Sequence, residues 1–282
     1  MWSISEIKAR AHRYMDAAYW RSVLAALVNK LVTCGIAAAV MWIGLELILQ
    51  IISIDAISYY YQFDMGMMGI GFETFIGLAY TVFILAIVLI VAGFCIGLFV
   101  MTPIEVGCKR FFIVNHAMPG RTKSGELFHV FSSDYLHVVG VMLLKDIYLT
   151  IWALLLPAIA MTACNILTTV GVLERYLPVW IYVPLAFPAL IKLYSYRLVP
   201  YILAEEPGMP AGDVITLSRR MMKGSKWHAF LLDLSFIGWD ILNVCTLFIL
   251  GVFYVGPYKQ TTKAEMYITI RDAFLRAQHN NA

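Results

Sequence analysis

Five charged residues stand where the surrounding chain is apolar enough to lie in hydrocarbon: Lys145, Asp146, Lys192, Asp233 and Asp240. Ionisable groups in that setting are costly, and they line bundle interiors, ion pathways or substrate sites. At ~1.5 Å of rise per helical residue, Asp146 and Lys192 each sit ~16 Å from the cytoplasmic end of their segments, near the midplane of a ~30 Å core. Asp240 reaches ~20 Å on a straight helix that begins near Trp227. Lys145 and Asp146 are neighbours, so they diverge by ~100° around a helix and cannot both point at one partner. These depths predict that Asp146 pairs with Lys192, and Lys145 with Asp240 or Asp233. Two readings stand side by side: a hydrated polar site for an ion or an amphipathic substrate, or neutralised ion pairs that fix helix register.

A second set is basic. Lys109 and Arg110, and then Arg219, Arg220, Lys223 and Lys226, alternate with Phe111, Phe112, Met221, Met222 and Trp227. That composition suits a surface facing an anionic leaflet, and the same charges serve the positive-inside signal. Gly224 among them lets backbone come close to a phosphate. The glycines Gly66, Gly69 and Gly71 follow no strand and read as a flexible re-entry, not a phosphate loop. His116, His129 and His137 lack the spacing of a metal motif and read as interfacial. The cysteines Cys34, Cys95, Cys108, Cys164 and Cys245 are odd in number and scattered, which suits neither a disulfide framework nor a zinc knuckle. There is no G-x-S-x-G elbow, catalytic carboxylate pair, Cys-His arrangement or nucleotide-binding motif. The expectation is therefore a non-enzymatic protein with no cofactor and no metal.

The elements that must position these residues are set by composition. Of 282 residues 61% are hydrophobic and 14% charged, against about 25% charged in soluble domains. Apolar runs exceed the ~20 residues needed to cross a bilayer. A soluble enzyme is excluded, and the expected class is an all-α, polytopic membrane bundle with five or six inserted segments and flanking amphipathic interfacial helices. Residues 1–282 read as one helical membrane domain, with an interfacial helix at 1–21, the bundle at 22–258 and an amphipathic tail at 259–282.

Along the chain, Ser3 and Glu6 have capping-box spacing ahead of Ile7, Ala11 and Met15 at helical intervals. No apolar run precedes a cleavage site there, so the first span is expected to act as its own insertion signal. Spans are expected from Val23 to about Gln50, from Phe75 to Met101 with a stop at Pro103, from Tyr135 to Ala163 and from Val179 to Leu203. The connector with Tyr59, Tyr60 and Tyr61 carries acids but no Lys or Arg and suits the outer face. The loop with Glu174 and Arg175 joins the next pair. Gly93 and Gly97 form a G-x-x-x-G packing face.

Of the 21 basic residues, all but Arg175 and four within spans fall on segments assigned to the cytoplasm, which places the amino terminus inside. Trp227 to Gly256 is too short for two full crossings. Pro103, Pro200 and Pro257 each follow an apolar run, which suggests three hairpins in series and a bent or re-entrant final pair near Gly238 to Gly251.

The segment Ser218 to Lys226 (S-R-R-M-M-K-G-S-K), Leu234 to Trp239 (L-S-F-I-G-W), Pro257-Tyr258, Tyr267 and the opening Ile7 to Ala11 with Trp20 resemble a bacterial family known as domain of unknown function 975. The resemblance covers nearly the whole chain. It implies a small polytopic membrane protein, mostly found in Gram-positive bacteria, and no established activity. The basic segment before a span is also similar to the membrane domain attached to some glycerophosphodiester phosphodiesterases, but no phosphodiesterase domain accompanies it here.

Together these features lead to the expectation of a plasma-membrane protein that binds or moves a lipid or other amphipathic molecule. Its partners would be anionic inner-leaflet lipids and either itself or another membrane protein, with no nucleic acid. The alternatives are an accessory or scaffold subunit of another membrane complex, or an intramembrane enzyme acting on lipid.

Overall fold

The computed structural model describes residues 2–34, 39–49, 72–131, 134–169 and 188–280. The expected outer connector with Tyr59 to Tyr61 and Gly66 to Gly71, and the loop with Glu174 and Arg175, lie outside them. Every described element is helical: α1 (Ile4–Ala17), α2 (Tyr19–Cys34), α3 (Ala39–Leu49), α4 (Phe72–Ile96), α5 (Thr102–Ala117), a 3-10 helix (Ser124–Phe131), α6 (Tyr135–Thr169), α7 (188–195), α8 (Val199–Glu205), α9 (Ala211–Met221), α10 (Lys226–Leu234), α11 (Ile237–Cys245) and α12 (Gly256–His279). Among the described residues three stretches are long and apolar enough to cross a membrane, Tyr80–Ala117, Tyr135–Leu154 and Lys226–Cys245, which marks a membrane protein. The chain divides into two compact units, Asn29–Thr102 and the remainder.

In the smaller unit, α3 packs on α4 through Gly44, where an added Cβ would come within 2.7 Å of the Ala86 carbonyl. Ala86 is fully buried, while Tyr80, Ile84 and Val88 are more than half exposed. Large apolar groups turned outward would be a liability in water and are the ordinary surface of a helix in lipid. Gly93 is buried, and Gly97 opens a five-residue π-helical turn, Gly97–Met101.

That turn overturns the expected stop at Pro103. In place of ending a helix, Pro103 is the second residue of α5 inside one unbroken helical stretch, where the widened π turn before it accommodates a residue with no N–H to donate. The Gly97 carbonyl is met by the N–H of Thr102, and by its hydroxyl at 3.2 Å. The same device recurs in the larger unit: a π turn at Gly251–Val255 precedes α12, whose second residue is Pro257.

The larger unit holds a conventional buried core, with Phe111 and Phe112 of α5, Leu203 of α8, Leu232 of α10 and Met266 of α12 all at most 3% exposed. Burying each large apolar side chain contributes roughly 1.5–3 kcal/mol. Helix α1 belongs to this core. Its apolar face, Ile7, Ala11 and Met15, is at most 1% exposed and packs on α12, and Arg10 Nη2 donates to Thr269 Oγ1 at 3.0 Å. The face expected to lie on the bilayer is thus already occupied by the tail helix. Ser3 occupies the N-cap position but makes no side-chain cap bond there; its hydroxyl pairs with that of Ser5.

Between α11 and the second π turn the chain reverses. Leu247 (φ 50°) and Phe248 (φ 65°) are in the left-handed region, and their side chains are 81% and 55% exposed. The returning α12 is tied to α11 by Lys259, whose ammonium lies within 2.6 Å of both Asp240 oxygens.

Candidate functional site

Two concave sites in the larger unit collect most of the candidate residues. The first is a cavity of about 280 Å³ lined by Glu105 of α5, Lys145 and Leu149 of α6, Leu193, Tyr194, Tyr196, Arg197 and Pro200 around α7 and α8, Asp233 of α10 and Lys263 of α12. Arg197 grips Asp233 with both arms of its guanidinium, Nη1 on Oδ2 and Nη2 on Oδ1 at 2.8 Å. Tyr194 donates its hydroxyl to the same carboxylate at 2.9 Å. Such a bidentate pair fixes the turn between α7 and α8 against α10.

The expected charge pairing is therefore overturned. Asp233 takes Arg197, Asp240 takes Lys259, and Lys145 reaches its neighbour Asp146 at 3.0 Å. Flexible side chains of adjacent residues can curl together even though their Cα–Cβ vectors diverge, which the helical-wheel argument ignored. Asp146 is more than half exposed and does not meet Lys192. Lys192 instead lies 4.2 Å above the ring of Trp152, where the aromatic face stabilises a cation. Of the five predicted residues, the cavity brings together Lys145 and Asp233.

The second site is a cleft of about 480 Å³ lined by Ile191, Lys192, Ser195, Thr216, Arg219, Arg220, Lys223 and Lys226. Helix α9 is capped by a turn in which Gly224 adopts φ 86° with open space around it. This turn brings Lys223 and Lys226 back beside Arg219 and Arg220. Helix α7 supplies Lys192, and α9 is anchored on it by the Ser218 hydroxyl, which donates to the Ser195 carbonyl at 2.9 Å. Five cations share the wall with no carboxylate, and Trp227, 61% exposed, borders it in sequence.

The other predicted basic pair does not face outward. Lys109 is 7% exposed, donates to Gln260 Oε1 at 3.0 Å and lies over the Tyr201 ring. Arg110 bonds Glu126 and the Ala204 carbonyl. Position after a span, which suggested lipid contact, here places them inside a helical layer that covers them. His116 bonds the buried Glu265, which also lies 3.6 Å from Arg10, and His137 meets the Met209 carbonyl. His116 thus joins α5 to α12, and His137 joins α6 to the turn that precedes α9.

Glu105, Tyr194, Arg197 and Lys263 were not singled out by the sequence reading. A signal for one was present. Gly97 to Pro103 and Gly251 to Pro257 are the same G-x₅-P step, and the sixth residue beyond each proline is a lysine, Lys109 or Lys263. Burial and the nearby Arg197 guanidinium pull the Lys263 ammonium down to about 8, against the opposing pull of Asp233.

The family model described as "Protein of unknown function (DUF975)" matches residues 4–273, and the chain belongs to that family. No curated protein and no solved structure matches it.

Proposed function

Proceeding from a family whose description assigns no activity, we propose that this chain is a multi-pass protein of the bacterial plasma membrane that binds an amphipathic anion, with both termini in the cytoplasm. The observation that carries the reading is the basic cleft: Lys192, Arg219, Arg220, Lys223 and Lys226 converge on one wall without a carboxylate. A cluster of four to eight such charges beside a membrane helix attracts acidic headgroups at about 1 kcal/mol each. Ile191 and Trp227, both exposed, supply apolar surface for the start of an acyl chain. The open backbone at Gly224 supports close approach of a phosphate.

The test is lipid retention by native mass spectrometry. Protein purified in neutral detergent and offered equal phosphatidylglycerol and phosphatidylcholine should keep the anionic lipid. A variant with Arg219, Arg220, Lys223 and Lys226 all replaced by Gln should lose at least tenfold of that retention. Equal retention of the two lipids by the unmodified protein sinks the proposal.

A further inference from the structure

The cavity framed by α5, α6, α7, α10 and α12 shares no lining residue with the basic cleft, and its chemistry differs. Five charged side chains reach its wall. Three are committed: Lys145 to Asp146, and Arg197 and Asp233 to each other with Tyr194 on the carboxylate. Glu105 and Lys263 are left. Among the described residues neither forms a hydrogen bond or an ion pair, with each other or with any third group. They stand on different helices, α5 and α12, around one cavity.

The surroundings of Lys263 are cationic. Arg197, Lys109 and Lys259 act on it with like charge, and the Asp233 carboxylate that draws on it is already held by Arg197 and Tyr194. A partly buried ammonium so placed calls for an anion; burial first, and then its cationic neighbours, lower its proton affinity against the pull of Asp233. Glu105 calls for a cation at another point of the same wall. A lone anion would leave Glu105 unanswered, and a lone cation would meet Lys263 and Arg197. The complement of both is a molecule that carries the two charges itself. At roughly 30 Å³ per liquid water, the space of about 280 Å³ suits a solute of on the order of nine heavy atoms.

We propose that this cavity binds a small zwitterion of the amino-acid type, its carboxylate on the Lys263 ammonium and its ammonium on the Glu105 carboxylate. The Tyr196 hydroxyl, on the same wall, makes no hydrogen bond among the described residues and is offered to the ligand. The proposal is independent of the lipid reading, since none of the cleft cations takes part.

The experiment uses the full chain in detergent, with isothermal titration calorimetry and thermal unfolding as readouts. The probes are glycine, alanine, serine, β-alanine and γ-aminobutyrate, which vary size and charge separation, with propionate and propylammonium as single-charge controls. At least one zwitterion should bind and raise the melting temperature, while both controls fail at the same concentration. Lys263→Met and Glu105→Gln should each weaken that binding at least tenfold while anionic-lipid retention persists. Lys263→Arg, which keeps the charge, should retain binding and guards against a misfolded methionine variant. Propionate binding as well as the zwitterions would make this an anion site and overturn the proposal. So would the absence of heat and stabilisation with every probe.

Discussion

Arg197 and Asp233 are worth more as a pair than either is alone. Arg197→Met leaves a half-buried carboxylate without its guanidinium, and losses of this kind run from about 3 kcal/mol upward when both charges are fully buried. Asp233 keeps 35% side-chain exposure, so the expected loss is about 2 kcal/mol, read by thermal unfolding in detergent. Adding Asp233→Leu should restore at least half of it, because no orphaned charge then remains. Lys263 gives a pH signature. Its folded-state value of about 8 lies below the ordinary 10.5, so between those values the unfolded chain holds more protons and stability rises with pH. Unfolding followed from pH 7.5 to 10.5 should show a gain on the order of 2 kcal/mol that vanishes in Lys263→Met. A flat profile in the unmodified protein would contradict the placement of Lys263.

Helix boundaries carry the next layer. An added Cβ at Gly107 would run into the backbone carbonyl of Leu127, so α5 and the 3-10 helix can touch only because that position is glycine. Gly107→Ala should cost about 1–3 kcal/mol. Gly140→Ala in α6, where nothing lies within 4 Å of the added atom, should be neutral or stabilising by up to ~1 kcal/mol. The two melting curves, run together, separate a packing requirement from a helix-propensity effect. This is also the level at which sequence reasoning was weakest. The prolines at 103, 200 and 257 were legible as a recurring mark, yet proline says only that one N–H is missing. Whether the helix stops or widens by a residue depends on how the preceding carbonyls are met, as Gly97 is met by Thr102. Likewise the periodicity of Ile7, Ala11 and Met15 showed that α1 buries one face, and could not tell lipid from α12 as the cover.

For the molecule as a whole, apolar composition and basic patterning made a helical membrane protein legible, and three described stretches are suited to crossing. The partners of the buried charges were not legible, because a few ångströms of side-chain reach and one turn of helix phase decide between Lys192 and Arg197. With α1 packed on α12, cysteines introduced at Ser3 and Gln278 in a cysteine-free background should label from the same side of intact vesicles, and opposite labelling would break the topology.

The turn at Gly251–Val255 has one more consequence. A π turn holds one residue beyond what the α-helical repeat needs, so it sets a phase offset between the hairpin tip and everything after it. Excising Val252 alone would restore plain α-helix and rotate α12 by ~100°, swinging Lys259 off Asp240, Lys263 out of its cavity and the buried face of α12 away from α1. A single codon at that point governs the facing of the entire carboxy-terminal helix, which makes the gene far less tolerant of a three-base deletion there than of most substitutions nearby.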